Sequence, residues 1–216
     1  MKYIIMCGGN YTYWQEPRQL LKINNEPIVA RTIRLLKENG IEDIAISTHD
    51  EKFNQFGVPI LHHENTFTTD DQHATWVEAF YPTFEPVCYI WGDVVFSPEA
   101  IKEIVNDEVR YIQFYASRPP FAKDYIKDWA EPFALKVIDQ ELLHKAIRIV
   151  KKFYKELKFK REPIVWELWQ VIKGTKINVI DYFNYHAIND YTCDVDSTED
   201  ARKLNEIICR YDNLHT

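Results

Sequence analysis

Apolar residues along this chain follow two rhythms. Short, mostly apolar runs occupy residues 3–7, 43–48, 58–62, 87–91 and 110–116. The first stops at Gly8-Gly9 and the fourth at Gly92-Asp93. Runs of this length, closed by turn residues, predict buried strands. Between them the spacing turns helical. From Pro27 to Asn39 an apolar stripe of Ile28, Val29, Ile33, Leu35 and Leu36 predicts a helix that Gly40 stops. Residues 70–80 also read as helical. Ser97 as N-cap, with Pro98 in the first turn, predicts another helix reaching Asn106.

Alternating strands and helices predict βαβ units, hence an α/β fold whose mostly parallel sheet carries helices on its faces. The later chain is less regular. It reads as a strand at 133–137, helices at 142–158 and 164–172, a strand at 176–180 and a last helix from Thr198 to about Arg210. With 216 residues and no linker or repeat, the expectation is a single domain over 1–216, with an insertion or lid around 117–175.

Sheets of this kind bind ligands beyond the carboxyl ends of their strands. Two such ends stand out, Cys7-Gly8-Gly9-Asn10 and Gly92-Asp93. Glycines let backbone N–H groups approach a phosphate closely. Arg18, a few residues past the glycine loop, can clamp phosphate oxygens with its planar fork. Asp93 suits a Mg²⁺ held by one or two carboxylates and phosphate oxygens. Asp194 and Asp196 alternate on an extended segment and so share a face; Ser197 or Asp196 also reads as the cap of the last helix.

Taken in order, these segments resemble the sugar-nucleotidyltransferase family. The resemblance rests on Ile4-Ile5-Met6-Cys7-Gly8-Gly9, Pro17-Arg18-Gln19-Leu20-Leu21, Glu26-Pro27-Ile28, Trp91-Gly92-Asp93 and Asp194-Val195-Asp196-Ser197-Thr198-Glu199-Asp200. It implies a Rossmann-like three-layer α/β/α sandwich and a Mg²⁺-dependent reaction. A small phosphorylated acceptor attacks the α-phosphorus of a nucleoside triphosphate, and pyrophosphate leaves. The implied nucleotide contacts are Cys7, Gly8, Gly9, Asn10, Arg18 and Gly92, and the implied metal ligands are Asp93, Asp196 and Asp194. Arg18 and Asp93 are the implied catalytic pair. The short length resembles that of cytidylyltransferases, which favours CTP. A sugar or polyol phosphate destined for surface or capsule polysaccharide is the favoured acceptor.

The chain departs from the pattern at Tyr11 and Tyr13, where the family has glycine and arginine, and at Arg18, where it has lysine. Lys22, Arg31 and Lys136 are the cations that could compensate, with Lys136 the candidate substrate contact. Two other classes stay open: a nucleotide-sugar glycosyltransferase, and a non-catalytic nucleotide-binding regulatory protein, which the two tyrosines favour.

Charge and cysteines narrow the picture further. A net charge of −7 argues against a general nucleic-acid binder. No apolar run is long enough to span a membrane, and the opening segment is too short for a signal peptide, so the cytoplasm is the expected compartment. The four cysteines form no Cys-x-x-Cys pair, which predicts reduced thiols and no zinc. His62-His63-Glu64 reads as a polar strand end. Thr66, Thr68, Thr69 and Asp70 read as base contacts or as a loop and helix cap. The basic run from Lys151 to Arg161 reads as a solvated helix face, with a basic rim for an acidic acceptor as the lesser alternative. Trp166 and Trp169, three apart, read as core or as an oligomer interface, which leaves a homodimer open.

Overall fold

The first strand, β1 (Lys2–Met6), lies at the heart of the sheet, and Tyr3, Ile4 and Ile5 are almost wholly buried. A strand covered on both faces needs apolar residues at every position, which explains the unbroken run. The computed structural model describes residues 1–8, 16–63, 76–117, 130–159, 161–177 and 184–214. Gly9, Asn10, Tyr11, Thr12 and Tyr13 lie outside the described residues, as do Glu64, Thr66, Thr68, Thr69 and Asp70. So do residues 118–129 of the expected lid and 178–180 of the strand expected at 176–180.

Along the chain follow β2 (Lys22–Ile23), β3 (Glu26–Pro27), α1 (Ile28–Glu38), β4 (Ile44–Ser47), β5 (Ile60–Leu61), β6 (Val87–Trp91) and β7 (Val94–Val95). Then come α2 (Pro98–Asn106), β8 (Ile112–Ala116), β9 (Pro132–Val137), α3 (Gln140–Lys155) and α4 (Val165–Lys173). The chain closes with β10 (His186–Ala187), β11 (Cys193–Asp194) and α5 (Thr198–Leu214). The central sheet has seven strands in the order β10-β8-β9-β6-β1-β4-β5. Among the described residues β9 alone runs against its neighbours; the other pairings are parallel. Helix α1 packs with α2, and α3 with α4. This is the expected mostly parallel α/β/α sandwich.

Local signals set the boundaries. In α1, Gly40 takes φ +79° and lets the N–H of Ile41 reach the carbonyl of Leu36, closing the helix. In α2, the Ser97 hydroxyl accepts from the N–H of Ala100 at 2.9 Å while donating to Asp190. Helix α5 begins with a reciprocal box: Ser197 caps the N–H of Asp200, and Asp200 accepts from the N–H of Ser197. Where a helix was expected over 70–80, the described part is a single 3₁₀ turn, Trp76–Glu78.

Trp166 and Trp169 are core residues, each under 5% exposed. Both pack on Phe114 of β8, which fixes α4 over that end of the sheet. Among the described residues no helix is long and apolar enough to cross a membrane.

Candidate active site

The end of β1 is pinned on both sides. The N–H of Cys7 donates to Ser47 at 2.9 Å, and its carbonyl accepts from the Thr48 hydroxyl. Cys7 is therefore wholly buried with both backbone groups committed. Burial first, and then nearby Asp93, push its thiol well above the ordinary range. Its side chain belongs to the core, beside the expected nucleotide contacts at the end of β1. Gly8 is the first exposed residue beyond it.

Gly92 presses on the same strand end, donating to the Met6 carbonyl at 3.1 Å. A Cβ there would sit 2.6 Å from that carbonyl oxygen and 2.7 Å from the Cys7 sulfur. Only glycine fits, and it is buried. This close approach brings the turn that carries Asp93 against the end of β1.

Past Asp93, β7 pairs antiparallel with β11, Val94 opposite Asp194. The N–H of Val195 extends this ladder to the Asp93 carbonyl at 3.0 Å. The ladder brings the late Asp-x-Asp segment beside Asp93. Arg18, opening a short 3₁₀ turn after Pro17, reaches between them. Its guanidinium lies 2.9 Å from Asp93 and 2.6 Å from Asp196, and also donates to the Val195 carbonyl. Burial works against the charge on Arg18, but Asp93, Asp196 and Asp194 outweigh it and raise its pKa above the ordinary value. The guanidinium is a fixed cation.

These residues line a cleft of about 400 Å³. Arg18, Asp93, Asp194 and Asp196 share it with Trp76, Trp91, Glu131, Arg161 and Trp166. Glu131 is buried, and its position is set from across the segment 118–129. Its N–H donates to the Ser117 hydroxyl, and its carbonyl accepts from the Ser117 N–H, both at 2.9 Å. Glu131, Asp194 and Asp196 each offer an oxygen within 4.8 Å of the others. Such an all-oxygen carboxylate set suits a hard divalent cation, so the residues present fit Mg²⁺.

Other expected cations are engaged elsewhere. Lys136 is buried and donates to the carbonyls of Ile104, Val105 and Asp107 at 2.7–3.1 Å. It closes the end of α2 and is not among the described residues that line the cleft. Arg31 is buried too, donating to Phe96 and Tyr191. Lys22 is exposed on the β2–β3 hairpin. The second guanidinium of the cleft is Arg161, paired with Glu167 at 2.9 Å. Glu131 carries no motif that would single it out in the sequence, Arg161 is marked there only as the end of a basic run, and Trp166 has the spacing of an ordinary core residue.

This chain shares its fold with nucleotidyltransferases. A CTP:phosphocholine cytidylyltransferase from Streptococcus pneumoniae aligns over 96% of this chain and 98% of its own, with a TM-score of 0.55 and 18% identity. An inositol-1-phosphate CTP transferase from T. maritima aligns over 95% of both chains, at 0.59 and 13%. A 4-diphosphocytidyl-2C-methyl-D-erythritol synthase from Anaerococcus prevotii covers 96% and 97%, at 0.54 and 12%. No protein-family model matches the chain, and no curated protein matches it in sequence.

Proposed function

We propose that the protein is a nucleotidyltransferase, joining a nucleoside triphosphate to a small phosphorylated acceptor with release of pyrophosphate. The observation that carries this reading is the Arg18 guanidinium bridging Asp93 and Asp196 at the carboxyl edge of the sheet. One cation and several carboxylates, at the ligand-binding edge of a nucleotidyltransferase fold, are what phosphoryl chemistry asks for.

Phosphoryl transfer needs positioning and charge neutralisation more than proton traffic. Glu131, Asp194 and Asp196 would hold Mg²⁺, with Asp93 beside them in the cleft. The ion would supply neutralisation of the triphosphate and of the leaving pyrophosphate. Arg18 can release one carboxylate and take a phosphate oxygen instead, since it already has partners on either side. Gly8, with Gly9 and Asn10 after it, would cradle the phosphates through backbone N–H groups. CTP is the favoured nucleotide, because two of the fold neighbours named above use CTP. A sugar phosphate, polyol phosphate or related phosphate is the acceptor class, with surface polysaccharide precursors as the destination.

The test is pyrophosphate release from CTP, UTP, GTP, ATP and dTTP, each with Mg²⁺ and a panel of phosphorylated acceptors. Release with one nucleotide and one acceptor, lost on chelation, is the expected result. No release, together with no thermal stabilisation by any nucleotide, overturns the reading. Stabilisation without release moves it to a nucleotide-binding regulatory protein.

A further inference from the structure

We propose that the outward face of α3, with Leu157 at its tip, docks on an anionic lipid bilayer. This goes beyond the transfer reading and stands without it.

The face is cationic on an acidic protein. Residues 145–158 hold six lysines and arginines against one acid, in a chain whose net charge is −7. Leu143, Ala146 and Val150 bury one side of α3. Lys145, Arg148, Lys152 and Lys155 follow one another at helical spacing on the other side, and all four are exposed. Lys151 leaves this row to pair with Glu78. Glu141 borders the row in the first turn, and Glu156 is held between Lys152 and Lys158 at the far end.

The helix has 16 residues, a length of about 24 Å, and an apolar knob stands at each end. Leu157 and Phe84, 85% and 83% exposed, are the most exposed large apolar side chains among the described residues. Phe84 packs edge to face with His144 near the start of α3, ring centroids 5.5 Å apart. Leu157 follows the last turn. Its φ of +55° is the left-handed conformation that glycine usually supplies at a helix end. The N–H of Leu157 donates to the Tyr154 carbonyl at 2.9 Å, and that of Lys158 to Phe153 at 3.0 Å, which fixes this turn. A leucine kept in strained backbone and out in water points to a use at the surface. The Lys158 ammonium lies 4.5 Å over the Phe153 ring, beside the same tip. Two hollows line the helix, one with Phe84 and Lys145, the other with Lys152 and Lys155. Arg148 belongs to both, so knobs and cations form a continuous surface.

A polyanion such as duplex nucleic acid would use the cations and leave the leucine in water. An anionic bilayer uses both: lipid phosphates meet the row while Leu157 and Phe84 enter the acyl boundary. Arg161, four residues beyond Leu157, lines the cleft, so the docked bilayer would lie near its rim.

The experiment is co-sedimentation of the full chain with vesicles of equal parts phosphatidylglycerol and phosphatidylcholine, and with vesicles of phosphatidylcholine alone. The expected result is binding to the anionic vesicles at low ionic strength, roughly tenfold or more weaker binding to the neutral ones, and release in about 0.5 M NaCl. Leu157→Gly relieves the left-handed backbone, so the thermal midpoint should hold or rise while vesicle affinity falls roughly tenfold. Lys152→Gln combined with Lys155→Gln should weaken vesicle binding roughly tenfold or more with little change in the midpoint. No binding to anionic vesicles, equal binding to neutral ones, or an affinity that either variant leaves untouched overturns the inference. Binding of polyglutamate or duplex RNA in place of vesicles also overturns it. Vesicle binding is read without turnover, so failure of the transfer reading leaves it standing.

Discussion

Arg18 and Asp93, far apart in sequence, meet as an ion pair of 2.9 Å in a half-buried setting. Asp196 holds the other side of the same guanidinium. Removing the cation leaves the carboxylates facing one another. Arg18→Ala should lower turnover on the order of 10²-fold, by analogy with loss of one preorganised charge donor. It should also tighten divalent-cation binding in the absence of nucleotide. Arg18→Lys should retain part of the rate. Steady-state kinetics and a Mn²⁺ titration check both effects, and unchanged turnover in the alanine variant places the phosphate clamp elsewhere.

Asp93→Ala removes a carboxylate from a turn that backbone ladders already define. The fold should persist, with a loss of about 1–3 kcal/mol from the partner left partly buried. Turnover should fall below detection. Circular dichroism alongside the pyrophosphate assay separates these outcomes, and wild-type rates in this variant remove Asp93 from the reaction.

Gly92→Ala should be costly although it adds one methyl group. The new carbon would sit 2.6 Å from a backbone oxygen, so a strand end must move. Overpacking of this kind costs about 1–3 kcal/mol. The displaced turn also carries Asp93, so activity should fall together with the urea midpoint. Full activity at reduced stability would show that the turn relaxes without moving the carboxylate.

Lys136→Met separates a structural role for this lysine from substrate contact. Three carbonyls at the end of α2 lose a charged donor. The expected result is destabilisation of about 1–3 kcal/mol with an unchanged acceptor KM. A raised KM at unchanged stability would return Lys136 to the substrate.

Stability should also respond to pH through Glu26. Its hydrogen bonds from Arg34, outweighing burial, hold its carboxyl below the ordinary value of 4.5. A depressed folded-state pKa means the contribution is complete above that ordinary value and is lost as pH falls through the folded one. The pair is substantially solvated, so about 1 kcal/mol is the ceiling. Glu26→Gln should be less stable than the wild type near pH 7 and equal to it near pH 2. A difference that persists undiminished in acid would show that the carboxylate charge is not its source.

The strands expected at 87–91 and 133–137 and helices α1 and α2 were legible because each is a mostly apolar run or stripe. Asp93 and the Asp194–Asp196 pair were legible because a strand end and an alternation define them. The two-residue strands β7, β10 and β11 were not, since a pair of residues has no period. They form because a distant partner presents a matching edge. Glu131 escaped for the same reason: Ser117 places it, and nothing beside it in sequence marks it. Lys136 reads as a phosphate contact in the sequence because a basic residue there could compensate for a lost cation. Its neighbours Leu135 and Val137 carried the better signal: an ammonium inside a buried strand must find acceptors nearby.

The β7–β11 ladder joins the middle of the chain to a segment near its end. Most of the sheet can assemble on the ribosome before that segment emerges, since domains condense from the N-terminal side as they are made. The carboxylate cluster cannot. A nascent chain halted before Asp194 would hold the Arg18–Asp93 ion pair without the carboxylates of Asp194 and Asp196, so a translation-arrested intermediate of this protein should lack the complete cleft.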